Sequence, residues 1–315
     1  MLGVTFLGTG AACPTVERNV SGLALMREGE MMLFDCGEGT QRQMMRYGVG
    51  FSFSEIYFSH YHSDHLLGVI GLFRTMGLLD RKDGVTLYGP RPAQKIINHA
   101  LGVGVERIKF PVEIIEVKPG DRLKRKEYDI MVFETEHRID TVGYALVERD
   151  RLGRFDPEVA KSLGVLEGPL WGQLHRGQAV TLPDGRVVSP DLIVGPSRPG
   201  RTVVYSGDTR PCDGVRRAAQ GADLLIHEAT FGSDERERAV ETGHSTASEA
   251  AQLARDAGVK RLVLTHISAR YSREAPELID EARAIFPSVT IARDGMAVDV
   301  PFPDKSKGPQ TTVSR

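Results

Sequence analysis

The chain has 315 residues, 41% of them hydrophobic, and a formal net charge of −2. That length suffices for one large domain or two small ones with a sizeable core, and the near-zero charge excludes a global basic field for nucleic acid, so any polyanion must meet a local patch or metal ions. Cys13, Cys36 and Cys212 are too few and too widely spaced for a disulfide framework, which fits a reducing, cytoplasmic setting. The first residues run straight into a strand pattern, so no signal peptide is expected, and no apolar run is long enough to span a bilayer.

In chain order, "VTFLGTG", "GLALMR" and "MMLFDCG" read as strands, and "TQRQMMRYG" as a short helix. "EIYFS" is a buried strand, and "DHLLGVIGLFRTMGLL" a helix. "VTLYGP" is a strand, "RPAQKIINHALG" a helix, and "VEIIEV", "YDIMVFETEH" and "TVGYALVE" are strands. Residues 149–190 break this rhythm, being rich in Gly and Pro around Trp171, the single tryptophan; they read as an inserted arm or as an ordinary surface excursion. Beyond them, strands "TVVYSGDTR", "DLLIHEAT" and "RLVLTH" alternate with helices "CDGVRRAAQGA", "STASEAAQLARDAG" and "REAPELIDEARAIF", and "VTIARDGMAVDV" closes as one or two strands. Strands mixed with helices in both halves predict an α/β plan of two facing sheets covered by helices. The main domain is expected over 1–303, with a polar, mobile tail over 304–315.

Between "EIYFS" and its helix stands "HYHSDH", with His60, His62, Asp64 and His65 in six positions. Alternate side chains of an extended strand share a face, so His60, His62 and Asp64 are expected to point together. Three imidazoles and a carboxylate suit a borderline-soft divalent ion, zinc first. His137, Asp208 and His266 follow other strands and are further candidates. Asp35 and Cys36 also lie near a strand end, Cys36 as a core residue and not a ligand. His99 and His175 read as surface or satisfied core histidines, and His227 as structural.

This constellation resembles the metallo-β-lactamase superfamily. Through "FLGTGAACPTVERNVSGLAL", "LFDCGEGTQRQMMR", "HYHSDHLLG", "SGDTR", "HEATF", "GHSTA" and "LTHISARY" it is more closely similar to the ribonuclease Z family. The resemblance implies a four-layer αβ/βα sandwich, with "LGVLEGPLWGQLHRGQAVTLPDGR" as a protruding exosite arm for tRNA. It implies an endoribonuclease that removes the 3′ trailer from precursor tRNA, working as a homodimer. It further implies two zinc ions per subunit, manganese being the alternative. His60, His62 and His137 would hold one, Asp64, His65 and His266 the other, with Asp208 bridging. Asp64 is also placed to accept a water proton.

Releasing a 3′ hydroxyl requires a proton on the departing oxygen. His244 is assigned as general acid and Glu228 as the carboxylate that orients it, with Ser245 expected to cap the following helix; both motifs also read as strand-end and capping elements. Arg18, Asn19, Arg42 and Arg46 are candidate RNA contacts near the cleft, as are Arg151, Arg154, Lys161 and Arg176 on the arm, where Gly168 and Pro169 would form the turn. The arm's charges cancel from Glu148 to Arg176, so grip requires its basic residues on one face. Val16 occupies the place of the family's lysine in Pro-x-Lys-x-Arg-Asn, leaving open whether CCA-bearing transcripts are rejected. Two other readings stand beside this one: a hydrolase of small phosphodiesters or lactones on the same fold, and a metal-stabilised binding protein without turnover.

Overall fold

The computed structural model describes residues 1–271 and 274–303. Arg273, expected in the last helix, and the expected mobile tail from Asp304 lie outside the described residues. Two compact units are present: Met1–Val147 with the chain from Thr202 onward, and Glu148–Arg201.

The first unit holds two seven-stranded sheets. In one, the strand order is Ala297–Asp299, Leu2–Gly8, Gly22–Arg27, Glu30–Phe34, Glu55–Tyr57, Val85–Gly89, Val112–Glu116. In the other it is Val289–Ile291, Leu262–Thr265, Leu224–Glu228, Thr202–Tyr205, Val142–Glu148, Tyr128–Glu134, Arg122–Lys124. Each sheet is part parallel and part antiparallel, and the parallel strands are joined by helical crossovers.

Apolar alternation on these strands divides their side chains between two faces. Phe6, Phe34, Tyr57, Tyr128, Tyr144 and Tyr205 belong to one buried cluster drawn from both sheets. Tyr57 stacks between Phe34 and Tyr88 at centroid distances of 5.0 and 4.9 Å, a geometry that adds to area burial. On the outer face of the first sheet lie Met44, Val69, Leu72 and Ile97 of the helices Thr40–Arg46, Gly68–Leu78 and Ala93–Leu101. Val215, Ala250, Ala254, Leu278 and Ala282 cover the second, from Asp213–Ala218, Ala247–Asp256 and Pro276–Ile285. The result is the expected helix–sheet–sheet–helix layering. Among the described residues no helix is long and apolar enough to cross a membrane.

The single helix expected from Asp64 is two, Ser63–Leu66 and Gly68–Leu78. A Cβ on Gly68 would sit 1.9 Å from the Gly37 carbonyl oxygen, so only glycine allows this close approach. Short pieces without clear periodicity, Arg122–Lys124 and Arg236–Thr242, were not legible in the sequence.

The second unit extends past residue 190 to Arg201 because the returning chain pairs with the outgoing one, Arg151 with Arg198 and Phe155 with Val194. It has its own core of Ala160, Val165, Leu174, Val180, Leu182, Val188 and Ile193. Trp171 packs on it, 5.2 Å from the Phe155 ring, and donates Nε1–H to the Val165 carbonyl at 3.0 Å. Its first and last residues, buried Glu148 and Arg201, form a bidentate pair at 2.7 and 2.8 Å. Gly168, at φ 151°, and Pro169 open the helix Pro169–His175 instead of forming a simple turn.

Candidate metal centre

The site gathers where strands of both sheets end at their C-terminal edges. His60 follows Glu55–Tyr57, Asp208 follows Thr202–Tyr205, Glu228 ends Leu224–Glu228, and His266 follows Leu262–Thr265. His137 stands in a loop beyond Tyr128–Glu134, which ends short of the expected strand. Gly207 makes the Asp208 turn at φ +61°, and a Cβ there would meet the Ser59 Cβ at 2.6 Å.

His60, His62, His137 and Asp208 offer donor atoms within 4.8 Å of one another, as do Asp64, His65 and His266. His60 Nε2 lies 3.0 Å from His62 Nδ1, which lies 3.3 Å from His137 Nε2. Asp208 Oδ2 sits between the groups, 3.6 Å from His60 Nε2 and 3.3 Å from both His65 Nε2 and His266 Nε2. Asp64 does not share a strand face with His60 and His62. The chain turns helical at Ser63, so Asp64 Oδ2 faces His266 Nε2 at 3.3 Å and His65 Nε2 at 3.6 Å.

Outer hydrogen bonds orient the rings. His137 Nδ1–H donates to the Gly243 carbonyl (2.7 Å) and His65 Nδ1–H to Asp35 Oδ2 (2.8 Å). His60 Nδ1–H donates to Ser59 Oγ (3.0 Å), which itself donates to Asp35 Oδ2 (2.8 Å). His266 Nδ1–H donates to Thr230 Oγ1 (2.8 Å), which donates to Glu228 Oε2 (2.7 Å). With each Nδ1 occupied, four Nε2 lone pairs turn inward, as metal ligation requires. For His62 it is Nδ1 that faces the group. Asp35 and His266 both hold left-handed backbone, at φ 55° and 56°, strain that persists where packing over-determines it.

Burial holds His60, His62 and His137 below the usual imidazole range, reinforced by neighbouring histidines, so each is a neutral donor. Burial opposes ionisation of Asp208 and Asp64, yet the surrounding imidazoles outweigh it and hold both carboxyls down. For His65, burial is overcome by Asp208 and Asp35, which raise it; two carboxylates around one imidazole mark a place for positive charge. The donor set of imidazoles and carboxylates fits a divalent ion. Cys36 does not join it: burial, helped by the Asp35 charge, pushes its thiol up to about 12, so it stays a core thiol.

His244 Nδ1 meets Glu228 Oε1 at 2.9 Å. Burial would lower this imidazole, but the Glu228 charge and hydrogen bond raise it to about 9. Glu228 is buried and fully engaged, accepting from the backbone N–H of Thr209 (2.9 Å), Thr230 (3.2 Å) and Ser245 (3.1 Å). The helix cap expected at Ser245 falls instead on Thr246, which forms a capping box with Glu249. Ser245 Oγ is committed to the Thr209 carbonyl at 2.6 Å. His227 is fully buried and donates Nδ1–H to the Glu228 carbonyl, a structural position as expected.

The expected RNA contacts divide. Arg18 is buried, its guanidinium donating to Thr9 Oγ1 and the Ala292 carbonyl, both at 2.7 Å; it holds its loop from inside and does not face a phosphate. Asn19 is half-buried, donating Nδ2–H to the Glu38 carbonyl at 2.8 Å. Asp294, which the sequence did not single out, accepts from Thr9 Oγ1, the Asn19 N–H and Gln43 Nε2. The same loop delivers the Ala12 N–H to Asp64 Oδ2 at 2.8 Å, and Val16 on it is 99% exposed. Arg42 and Arg46 are exposed. In the second unit, Arg154, Lys161, Gly168, Pro169 and Arg176 are exposed and Arg151 is half-buried. Lys161 is paired with Glu158 at 2.9 Å.

Asp35 was a marginal candidate because its partner His65 lies thirty positions away; only the fold shows the pair. Asp35→Asn is expected to weaken divalent-metal affinity by about 10–100-fold, since outer partners orient ligating imidazoles. Competition against a chromogenic chelator measures it.

Comparison with known proteins agrees with this geometry. A profile of the beta-lactamase superfamily domain matches residues 184–267, and one of the anti-Pycsar protein Apyc1 matches residues 2–153. Ribonuclease Z of Gemmatimonas aurantiaca is 56% identical over 94% of this chain and 95% of its own. Ribonuclease Z of Myxococcus xanthus is 53% identical over 96% and 99%. The crystal structure of the human short-form tRNase Z superposes with a TM-score of 0.67 at 28% identity, covering 95% of this chain and all of that one. Likeness at this level over nearly the whole length makes the chain a member of the ribonuclease Z family, within the metallo-β-lactamase superfamily.

Proposed function

We propose that this chain is a zinc-dependent endoribonuclease that removes the 3′ trailer from precursor tRNA, leaving a 3′ hydroxyl on the tRNA and a 5′ phosphate on the trailer. The observation that carries this reading is one carboxylate oxygen, Asp208 Oδ2, within 3.6 Å of imidazoles from two ligand groups, with a His244–Glu228 pair beside it. Two zinc ions per subunit are proposed, manganese being able to substitute. His60, His62 and His137 would hold one, Asp64, His65 and His266 the other, and Asp208 would be shared. Zinc bound there supplies Lewis-acid polarisation of the phosphate and acidifies water.

The chain's own groups manage the protons. Asp64 Oδ2, steadied by the Ala12 N–H, accepts the proton of the attacking water. The water oxygen bonds to phosphorus as the bond from phosphorus to the tRNA 3′ oxygen breaks. His244 Nδ1 is held by Glu228, so Nε2–H is the proton that the departing 3′ oxygen receives.

The exposed Arg42 and Arg46 are proposed phosphate contacts, with Asn19 positioning the adjoining loop. Residues 149–190 are proposed as the tRNA exosite, gripping folded RNA by shape through Arg151, Arg154, Lys161 and Arg176, with Gly168 and Pro169 at the start of a helix. A homodimer acting in the cytoplasm completes the reading.

The test is incubation of trailer-bearing precursor tRNA with the zinc-loaded protein, mapping the cut end with and without an encoded CCA. Binding is expected to weaken steeply with salt, with a log–log slope of about −0.7 to −0.9 per neutralised phosphate. A flat salt profile and no cut at the trailer junction would refute the reading.

A further inference from the structure

Arg210 stands two residues beyond Asp208 and reaches toward the His244 turn. Its Nη1 donates to the His244 carbonyl. The same guanidinium forms a two-pronged pair with Glu249, Nη1 to Oε2 at 2.9 Å and Nη2 to Oε1 at 2.6 Å. Both side chains are largely shielded, at 15% and 17% exposure, where a planar fork on a carboxylate is stronger and more directional than a surface pair.

Glu249 is itself fixed. It is the third residue of the helix Ala247–Asp256, accepting the Thr246 N–H at 3.0 Å while its own N–H donates to Thr246 Oγ1 at 3.2 Å. Arg210 is anchored by its backbone too, its N–H donating to the Glu136 carbonyl at 2.7 Å, beside His137. Thr209 and Ser245 join the same two segments, through Ser245 Oγ and through Glu228. The His244 ring is therefore held by Glu228, its N–H by the Ala239 carbonyl at 2.8 Å, and its carbonyl by Arg210.

We infer that Arg210, locked by Glu249, is a positioning residue for proton donation by His244. The inference rests on the proposed donor role of His244. Without Arg210 the carbonyl side of this turn loses its side-chain restraint and the ring can shift, and misplacement of a donor by about an ångström can cost up to about 100-fold in rate.

The experiment compares two precursor tRNAs cut by the zinc-loaded full chain. One is natural; the other carries sulfur in place of the scissile bridging 3′ oxygen, and the departing thiolate needs no proton. His244→Ala is expected to lose about 100-fold or more in kcat on the oxygen substrate and far less on the sulfur one. Arg210→Ala is expected to show the same bias at about tenfold, with KM little changed. Glu249→Gln preserves the cap, because Gln also serves in a capping box, and removes the ionic lock. It should show the bias at smaller size and serves as the test if Arg210→Ala does not fold. Equal losses on both substrates in the Arg210 or Glu249 variant, with a biased His244→Ala, would overturn the inference and leave the donor reading intact. An unbiased His244→Ala would overturn both.

Discussion

Asp208→Ala is expected to abolish cleavage of precursor tRNA, with a loss of about 10⁴-fold or more, and to release bound divalent metal from a folded protein. One oxygen of this residue lies 3.6 Å from His60 of one ligand group and 3.3 Å from both His65 and His266 of the other. Removing it leaves the two groups of imidazoles with no shared anionic donor. Several kcal/mol of Lewis-acid stabilisation disappear with the ions, and each 1.36 kcal/mol is tenfold in rate. Metal content by elemental analysis and single-turnover cleavage measure the two effects. Retained metal with near-normal cleavage would remove Asp208 from the centre. The circular dichroism spectrum should stay close to that of the parent, because the apolar cluster between the sheets does not include this residue.

His244→Ala is expected to behave differently: kcat falls by about 10²–10⁴-fold while metal content is unchanged. The contrast is needed because Asp208, His244 and His266 also come within 4.8 Å of one another, a spacing that would admit His244 as a ligand. The geometry favours the donor role. Its Nδ1 is 2.9 Å from Glu228 but 3.9 Å from Asp208, so the ring is committed to a carboxylate outside the ligand set. Loss of metal together with activity in this variant would make His244 a ligand and leave the departing oxygen without its proposed acid.

Much of the site was legible because its chemistry is written locally. "HYHSDH" places four candidate ligands in six residues, and His137, Asp208 and His266 each follow an apolar run legible as a strand. The strands Gly22–Arg27 and Val142–Glu148 and the helix Ala247–Asp256 follow from the same patterning. The linear chain by itself therefore determined which residue types are available to a divalent ion and the two-sheet plan. Only the tertiary structure decided that Asp64 leaves the strand face of His60, because a helical turn begins one residue earlier; there it faces His266, as the family resemblance implies. It alone buried Arg18 and bound its guanidinium, whereas on paper that arginine equals the exposed Arg42. Asp35, Tyr205 and Ser59 also meet only through folding: Tyr205 O–H reaches Asp35 Oδ2 at 2.6 Å across 170 positions. The physical reason is common to all three cases. Side-chain chemistry and periodicity act over a few residues, while orientation, burial and hydrogen-bond partners are set where distant segments close on one another.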